Sequence, residues 1–242
     1  MSFFGRNKNP RKRSPTPTGS LSRENSINEG GSGATTPHGD KPLYLCSPFA
    51  DAALVNGNFK TIVTLPRYVD RMEWVAMNIY DFYTNLNEFY GVITDCCTQQ
   101  SCPTMSAGPN LNYSWITPDR KQMSLSAPTY IDSVMSSVQN LLEDETMFPT
   151  KSGQDFHQAF PTTIRHIYRQ FLRIFAHIYH AHFHDVLNLR SEPHFNSLFA
   201  HFLAFGKEYG LLDVKDIKGE PNAPVGAGLL WERWKESGKL EA

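Results

Sequence analysis

Histidine and cysteine are concentrated in two short stretches of this 242-residue chain. The segment FAHIYHAHFHD, at Phe175–Asp185, holds four of the nine histidines, and three of the four cysteines lie earlier at Cys96, Cys97 and Cys102. Zinc prefers thiolate and imidazole ligands, and a tetrahedral Cys2His2 set is a common closed, structural site. These residues predict a zinc site that joins two distant segments, with either Cys96 or Cys97 as the partner of Cys102.

The histidine spacing does not decide which imidazoles would bind the metal. Successive residues of an α-helix lie about 100° apart, so His180 and His184 share a face, as do His177 and His180. On the same basis His177 and His182 are about 140° apart. Spacing by itself favours the pairs that include His180. The alternative is that some of these histidines pack or face solvent without a metal.

A second group of residues suited to binding lies on one face of a helix predicted from about residue 68 to residue 92. Apolar residues at three- and four-residue steps form the side that would pack in a core, namely Met72, Val75, Ile79, Phe82, Tyr83, Leu86 and Tyr90. The opposite side, here called the acidic face, comprises Asp70, Glu73, Asp81 and Glu88 with Trp74 and Met77. Because Trp is enriched at the energetic centres of interfaces, the pattern favours a protein-binding surface over a merely solvated helix face.

Three arginines form a stripe at steps of four residues, Arg165, Arg169 and Arg173. The planar guanidinium group binds carboxylates and phosphates through two parallel hydrogen bonds. The stripe is therefore a candidate site for an acidic or phosphorylated peptide. Pairing with acidic residues of the same protein is the slightly favoured alternative.

Sequence signatures of the common enzyme classes are absent. The chain has no HExxH helix, no GxSxG turn and no glycine-rich phosphate-binding loop. No pair of carboxylates adjoins the Cys/His residues to act as a general base. We therefore expect a protein without an active site. A zinc enzyme with three protein ligands and a bound water is the competing hypothesis.

Composition and charge exclude several other functions. No apolar run approaches the roughly 20 residues that span a bilayer, and the amino terminus lacks the apolar segment of a secretory signal. The first 41 residues carry a net charge of +4 and the remainder −5. A mildly acidic body is poorly suited to nucleic acid, which requires clustered positive charge. We expect a soluble intracellular protein that binds neither nucleic acid nor the membrane interior.

The segment 1–41 is predicted to be a disordered regulatory tail. It is rich in Ser, Thr, Pro and Gly and has few large apolar side chains with which to offset the entropy of ordering. Ser14-Pro15, Thr16-Pro17 and Thr36-Pro37 are candidate sites for proline-directed kinases, and Ser26 follows Arg23 as a basophilic kinase would require. Chance occurrence in such a tail is an equally weighted alternative.

The ordered part of the chain is predicted to be an all-α bundle with one small β-hairpin. After the helix at 68–92, NYSWI and KQMSL flank the turn-like TPDR. Further helices are predicted from Pro128, over 161–189 and over 192–209, the last ending at Gly210. GEPNAPVGAG is predicted to be a linker, and LLWERWKESGKL a short terminal helix.

Five stretches follow one another along the chain: PLYLCSPF at the start of the ordered part, then FKTIVTLPRYVDRMEWVAMNIYDFYTNLNEFYGVI, CTQQSCPTMSAGPNLNYSW, MFPTKSG and RIFAHIYHAHF. In order and in near-family spacing they resemble the Mob (phocein) kinase activators, most of all the fungal subgroup called the second Mob paralogue. The resemblance implies an all-α Mob domain over 42–215, with a four-helix bundle core, a small hairpin and structural Zn2+. It leaves 216–242 as a carboxyl-terminal extension with a short helix.

The resemblance also implies which residues do what. The zinc ligands of the family fall on Cys97, Cys102, His177 and His182. For both histidines to reach one ion, the helix must be distorted or end near His182, or one side chain must reach round from its flank.

The kinase-facing positions of the family fall on Glu73, Trp74, Asp81 and His201. The basic triad with which some members bind phosphopeptides falls on Arg169, Gln170 and Arg173, so one positive charge is replaced by an amide. Arg169 and Arg173 remain a candidate anion or phosphopeptide site.

The function that the resemblance implies is non-catalytic. Members bind the basic N-terminal regulatory segment of NDR/LATS-type AGC kinases and promote their activity, in fungi for cell polarity and morphogenesis. We expect the protein in the cytoplasm and nucleus, and at the cell cortex or sites of polarised growth. The alternative is a phocein-like scaffold for phosphatase or vesicle-traffic complexes.

Overall fold

A computed structural model of the chain describes residues 41–55, 57–117, 119–151 and 153–240. The predicted tail, apart from Lys41, lies outside these residues, and so do its candidate phosphorylation sites. The described part is mostly helical with a few short strands. Among its residues no helix is long and apolar enough to cross a membrane.

Within the described residues, eight α-helices and six short strands follow one 3₁₀ turn at Leu43–Leu45. The helices are α1 (Phe59–Val63), α2 (Arg71–Gly91), α3 (Ala127–Leu142), α4 (Phe160–Ala181), α5 (Phe183–Asn188), α6 (Glu192–Glu208), α7 (Val214–Lys218) and α8 (Gly228–Glu236). The strands are β1 (Met105–Gly108), β2 (Leu111–Tyr113), β3 (Trp115–Ile116), β4 (Gln122–Met123), β5 (Gly219–Glu220) and β6 (Ala223–Pro224).

Helix α2 confirms the predicted amphipathic helix. The Asp70 carboxylate caps its start by accepting hydrogen bonds from the backbone N–H groups of Met72 at 2.7 Å and Glu73 at 3.2 Å. Its buried side consists of Val75, Asn78, Ile79, Phe82, Leu86 and Tyr90. Five of these six are the predicted apolar residues, so the helical period did identify the core side.

The four long helices α2, α3, α4 and α6 surround a core rich in aromatic rings. Helix α2 contacts the other three, and α3 contacts α4. The Tyr168 ring of α4 stacks on the Phe202 ring of α6 with centroids 4.1 Å apart, and its hydroxyl donates to the Phe202 carbonyl at 2.7 Å. Gly206 allows this approach, because a Cβ there would lie 2.6 Å from Cε1 of Tyr168.

The single helix predicted over 161–189 is wrong, because it is two helices. Helix α4 ends at Ala181 and α5 begins at Phe183, with His182 between them at φ −126° and ψ 12°. Apolar residues continue through the break, so periodicity alone gave no sign of it. The resemblance implied that the helix ends or is distorted here, or that one side chain reaches round from its flank, and the structure shows the helix ending.

Two hairpins lie between α2 and α3. The predicted one, β3–β4, pairs Trp115 with Met123. Sequence reasoning missed β1–β2, in which Met105 pairs with Tyr113. Strand β1 packs against α4, and its buried residues lie next to the histidine-rich end of that helix. The missed hairpin therefore matters for the site.

The prediction of a linker at GEPNAPVGAG is also wrong. Strands β5 and β6 form a third hairpin, after which Val225 and Ala227 are buried. The Gly226 N–H donates to the Ala107 carbonyl of β1 at 2.9 Å. Glycine is required at position 219, where φ is +74° and a Cβ would lie 2.7 Å from the Ala223 carbonyl. This segment, rich in glycine and proline, is ordered by its contacts with the rest of the domain, which its composition does not reveal.

Helix α8 confirms the predicted terminal helix, and it is anchored to the start of the domain. Trp234 is 1% exposed, and its indole N–H donates to the Ala50 carbonyl at 2.8 Å. Arg233 binds the Asp51 carboxylate with two guanidinium nitrogens, Nε at 3.0 Å and Nη2 at 2.6 Å. The two ends of the described chain are thereby joined.

Candidate metal centre and acidic face

The structure brings Cys97, Cys102, His177 and His182 together in one buried cluster. Their ligand atoms all lie within 4.8 Å of one another. Cys97 Sγ lies 3.6 Å from Nε2 of His177, and Cys102 Sγ lies 3.3 Å from Nε2 of His182. The geometry therefore matches the set that the resemblance implied and leaves out the pairs that spacing favoured.

The neighbouring candidates lie outside the cluster. Cys96 is exposed, and His180 and His184 both face away from the interior. His184 instead lies 3.2 Å from the Asn188 amide, one turn further along α5. Burial therefore distinguishes the four clustered residues from Cys96, His180 and His184, which the spacing had left as candidate ligands.

Backbone hydrogen bonds in the loop after α2 place the two cysteines. The Cys97 N–H donates to the Ile93 carbonyl at 2.9 Å, and the Cys102 N–H to the Thr98 carbonyl at 2.8 Å. The Cys102 carbonyl in turn accepts from Ala127, the first residue of α3, at 3.0 Å. The thiol pair is consequently held between the end of one long helix and the start of the next.

The second ring nitrogen of each buried histidine has an acceptor. Nδ1 of His177 lies 2.7 Å from the Ser106 carbonyl, and Nδ1 of His182 lies 2.9 Å from Oδ2 of Asp185. A carbonyl and a carboxylate can only accept, so each Nδ1 carries the proton. Both Nε2 atoms therefore offer lone pairs toward the thiols, as metal-binding imidazoles do.

Burial sets the protonation of the cluster. It lowers the pKa of His177 to about 4, so this imidazole is neutral at physiological pH. Burial, with the adjacent Cys102, raises the pKa of the Cys97 thiol to about 12. The Cys97 thiol therefore resists ionisation unless a cation offsets the charge, and a metal ion displaces thiol protons when it binds.

The donor set and its spacing fit a tetrahedral zinc ion. Zn–S bonds of about 2.3 Å and Zn–N bonds of about 2.0–2.1 Å place sulfur and nitrogen about 3.5 Å apart across a tetrahedral angle. The two Sγ–Nε2 separations of 3.6 Å and 3.3 Å lie close to that value. The cluster could therefore hold a metal ion.

The acidic face lies on the exposed side of α2. Glu73, Asp81 and Glu88 are exposed, and none has an ion-pair partner among the residues that the structure describes. Partial burial raises the pKa of Asp81. Met77 and Tyr80, which are 58% and 54% exposed, lie among these carboxylates. Tyr80 was missed in the sequence, although its position three residues after Met77 was a usable signal.

Trp74 lies at the border of this face and not at its centre. It is half-buried, and its ring centroid is 6.4 Å from that of Phe205 on α6. Its indole Nε1 is buried and has no hydrogen-bond partner within the described residues. Met77 and Tyr80, more than Trp74, supply the exposed apolar area.

His201 of α6 lies behind Trp74. Its ring centroid is 5.0 Å from that of Phe82 and 6.3 Å from that of Phe205, the same ring that Trp74 contacts. Burial lowers the pKa of His201 to about 4. Its Nε2 is buried and, in the described part of the chain, unpaired. The four residues assigned to kinase binding thus comprise two surface carboxylates and two aromatic groups set into the packing between α2 and α6.

A cleft of about 480 Å³ adjoins the start of the acidic face. Asp70 at the cap of α2, Glu73 in its first turn and Asp155 from the loop before α4 contribute carboxylates to its lining, which also includes His157. The cleft extends the negative potential of the acidic face beyond the helix.

The arginine stripe is largely paired with groups of its own chain. Arg169 binds Asp216 through Nε at 3.1 Å and Asp213 through Nη2 at 3.4 Å. Arg173 donates to the Tyr130 hydroxyl at 2.6 Å and lies over the Tyr113 ring at 4.7 Å. Pairing with acidic residues of the same protein, the favoured alternative, is therefore observed for Arg169. Arg169 and Arg173 also border a cavity of about 240 Å³.

Comparison with known proteins shows a match to the Mob1/phocein family over residues 51–220. A Candida albicans protein named "CBK1 kinase activator protein MOB2" is 46% identical over 86% of this chain and 64% of its own length. A Schizosaccharomyces pombe protein named "Maintenance of ploidy protein mob2" is 51% identical, covering 72% of this chain and 71% of that protein. A Saccharomyces cerevisiae "CBK1 kinase activator protein MOB2" is 44% identical, over 82% and 67%. The chain thus spans somewhat less than two thirds of the C. albicans relative.

Proposed function

The chain belongs to the Mob1/phocein family, and on that premise we propose that it activates a protein kinase without catalysing a reaction itself. The observation that carries the proposal is the similarity, over most of this chain, to two proteins named as activators of the CBK1 kinase. In this proposal α2, α3, α4 and α6 are the four-helix core of a Mob domain, and the segment after residue 215 extends it.

The proposed partner is the basic N-terminal regulatory segment of an NDR/LATS-type AGC kinase. Glu73 and Asp81 would attract it, and Trp74 and His201 would contact its apolar residues. The unpaired carboxylates of the acidic face and the acidic lining of the adjoining cleft support this choice, since opposite potentials speed association and fix register. Ordering the kinase segment on this face would then favour the active kinase.

The proposed cofactor is structural Zn2+ bound by Cys97, Cys102, His177 and His182. Zinc, when bound, neutralises two thiolates and joins segments that are distant in sequence. Four protein ligands complete a tetrahedral sphere and leave no position for a reactive water. The buried donor set therefore supports a structural site rather than the competing zinc enzyme.

The proposed role of Arg169 and Arg173 is mainly structural. Arg169 ties α4 to the start of α7, and Arg173 ties α4 to α3 through Tyr130. A phosphopeptide at this site would have to displace Asp213 and Asp216 from Arg169. This pairing and the amide of Gln170 argue against a strong phosphopeptide site.

The proposed setting is polarity and morphogenesis signalling in the cytoplasm, nucleus and cell cortex, as in the fungal members that the sequence resembles. A scaffold for phosphatase or vesicle-traffic complexes has no observation in its favour. The two functions predict different co-purified proteins, namely a kinase in one case and phosphatase subunits in the other.

Charge reversal on α2 tests the proposed kinase-binding surface. We expect Glu73→Lys combined with Asp81→Lys to weaken binding of an NDR/LATS-type kinase N-terminal segment by at least ~30-fold, because each reversal costs about 1 kcal/mol or more. Calorimetry or fluorescence anisotropy with the purified segment measures the dissociation constant.

The matched control makes the same change of charge elsewhere. Asp119 and Glu236 are exposed, distant in sequence from α2, and have no hydrogen bond or ion pair in the part of the chain that the structure describes. Asp119→Lys with Glu236→Lys should leave affinity within about threefold. Equal affinities of the two double variants would refute the surface assignment.

A further inference from the structure

Among the described residues, Asp185 supplies the side chain from outside the candidate metal centre that forms a hydrogen bond with one of its histidines. Its Oδ2 lies 2.9 Å from Nδ1 of His182, and its side chain is 28% exposed. No Lys or Arg pairs with it among the described residues. His182 is therefore the basic side chain paired with this carboxylate, and the exposed Cys96 thiol lies near it as well.

The break between α4 and α5 creates this contact. His182 leaves the helical conformation at φ −126°, and α5 starts at the next residue, with Asp185 in its first turn. The His182 side chain is 4% exposed, with Nε2 directed to Cys102 and Nδ1 to Asp185. One ring is therefore held at both nitrogens, which fixes its orientation as well as its tautomer.

The two histidines of the cluster differ in the group that accepts the hydrogen bond from Nδ1. His177 lies within α4 and donates to a backbone carbonyl, that of Ser106, which the β1–β2 hairpin holds in place. His182 lies at a helix junction and depends on an anionic side chain. A carboxylate partner makes an imidazole a better electron donor than a neutral carbonyl does, and loss of such partners typically costs 10–100-fold in metal affinity.

We propose that Asp185 is a positioning residue of the metal centre, which orients His182 and strengthens its Nε2 as a zinc ligand. This inference rests on the proposed zinc site. It assigns a role to a residue that neither the motif spacing nor the family resemblance singled out.

Removal of the carboxylate tests the inference on the full-length protein. We expect Asp185→Asn to weaken zinc binding about 10-fold and Asp185→Ala up to about 100-fold, because the amide still accepts a hydrogen bond but carries no charge. Competition with a chromophoric chelator gives the zinc dissociation constants. Cobalt-substituted protein should show a shifted visible absorption band in both variants, which a change in stability alone would not produce.

A control variant separates the effect of the Asp185–His182 hydrogen bond from the effect of a negative charge near the cluster. Asp132 is an exposed carboxylate on α3 whose charge acts on the Cys97 thiol, but it forms no hydrogen bond with any of the four ligands. Asp132→Asn should bind zinc within about twofold of the wild type. The inference is overturned if both Asp185 variants also bind within twofold, or if Asp132→Asn loses as much affinity.

A measurement of zinc content distinguishes failure of the proposed zinc site from failure of the role proposed for Asp185. The wild type should contain about one zinc per chain by elemental analysis, and Cys97→Ser with Cys102→Ser none. A wild type that binds no zinc would refute the metal site, whereas zinc-bound wild type with unaffected Asp185 variants would refute only the role of Asp185.

Discussion

His177 and His201 are both kept neutral by burial, which lowers each pKa to about 4, but their surroundings differ. Nδ1 of His177 donates to a carbonyl, so its Nε2 is free to bind a metal. Nε2 of His201 is buried without a partner in the described part of the chain, and the ring is held mainly by aromatic packing. A neutral imidazole is thus placed where it could bind a metal ion in one position and where it packs against aromatic rings in the other.

The depressed pKa of His201 predicts how stability depends on pH. The unfolded chain protonates this histidine near its ordinary value of 6.5, whereas the folded chain does so only near 4. Between these values the unfolded state binds more protons, so stability is full above pH 6.5 and is lost as the pH falls toward 4.

The test compares the wild type with His201→Phe by urea unfolding between pH 7 and pH 4.5. Both proteins keep His177, whose protonation acts in the same direction, so the difference isolates His201. For the variant, we expect the free energy of unfolding to change less steeply with pH, by up to about 1.4 kcal/mol per pH unit, which is the value for one proton. Equal slopes would contradict the assignment.

At the level of elements, the segment after α7 forms part of the core. Leu230 and Trp234 of α8 are at most 1% exposed, and β6 is followed by a hydrogen bond to β1. Pro224 also lies against Gly108, where a Cβ would be 2.4 Å from the proline carbonyl. The same strand β1 holds His177 through Ser106, so this terminal segment supports the wall of the metal centre.

Two adjacent leucines of α8 test whether that segment contributes to stability. Leu230 is 0% exposed and Leu229 is 50% exposed. We expect Leu230→Ala to lower the free energy of unfolding by about 2–5 kcal/mol, through lost burial and a residual cavity. Leu229→Ala, as the control, should change it by about 0.5 kcal/mol or less. Similar small losses in urea unfolding would show that α8 is dispensable.

At the scale of the described molecule, the Cys/His cluster brings together segments about a third of the chain apart. Each cysteine lies 80 residues before the histidine nearest to it. The cluster therefore links the loop after α2 with the α4–α5 junction, while Arg233 and Trp234 link α8 with the start of the domain. The cluster, which could hold a metal ion, and the contacts of α8 are two of the long-range connections within the described residues.

Zinc removal should therefore weaken the fold as a whole. Because the ion binds the folded chain preferentially, free zinc at 100 times the dissociation constant should add about 2.7 kcal/mol to the free energy of unfolding. A chelator should remove that increment. Calorimetric melting temperatures measure it, and Cys97→Ser with Cys102→Ser should respond to neither zinc nor chelator. A wild type equally insensitive to both would contradict the prediction.

Three long helices, α2, α3 and α6, and the residue types of the candidate metal centre follow from the amino-acid sequence alone. The three- and four-residue period of Val75, Ile79, Phe82 and Leu86 identified the buried side of α2, because a helix that packs on one side must repeat its apolar residues at that interval. The family resemblance added the choice of Cys97, Cys102, His177 and His182 among several pairs. Spacing on a regular helix favoured a different choice.

How these elements and residues are used depends on the way the chain packs in three dimensions. That packing ended α4 at Ala181, placed Asp185 against His182, paired Arg169 with Asp213 and Asp216, and buried the residues that follow Pro224. None of these features leaves a local pattern in the chain. Helical periodicity records which side of one element is buried, whereas a contact between segments depends on how all the elements pack, and only the folded arrangement specifies that.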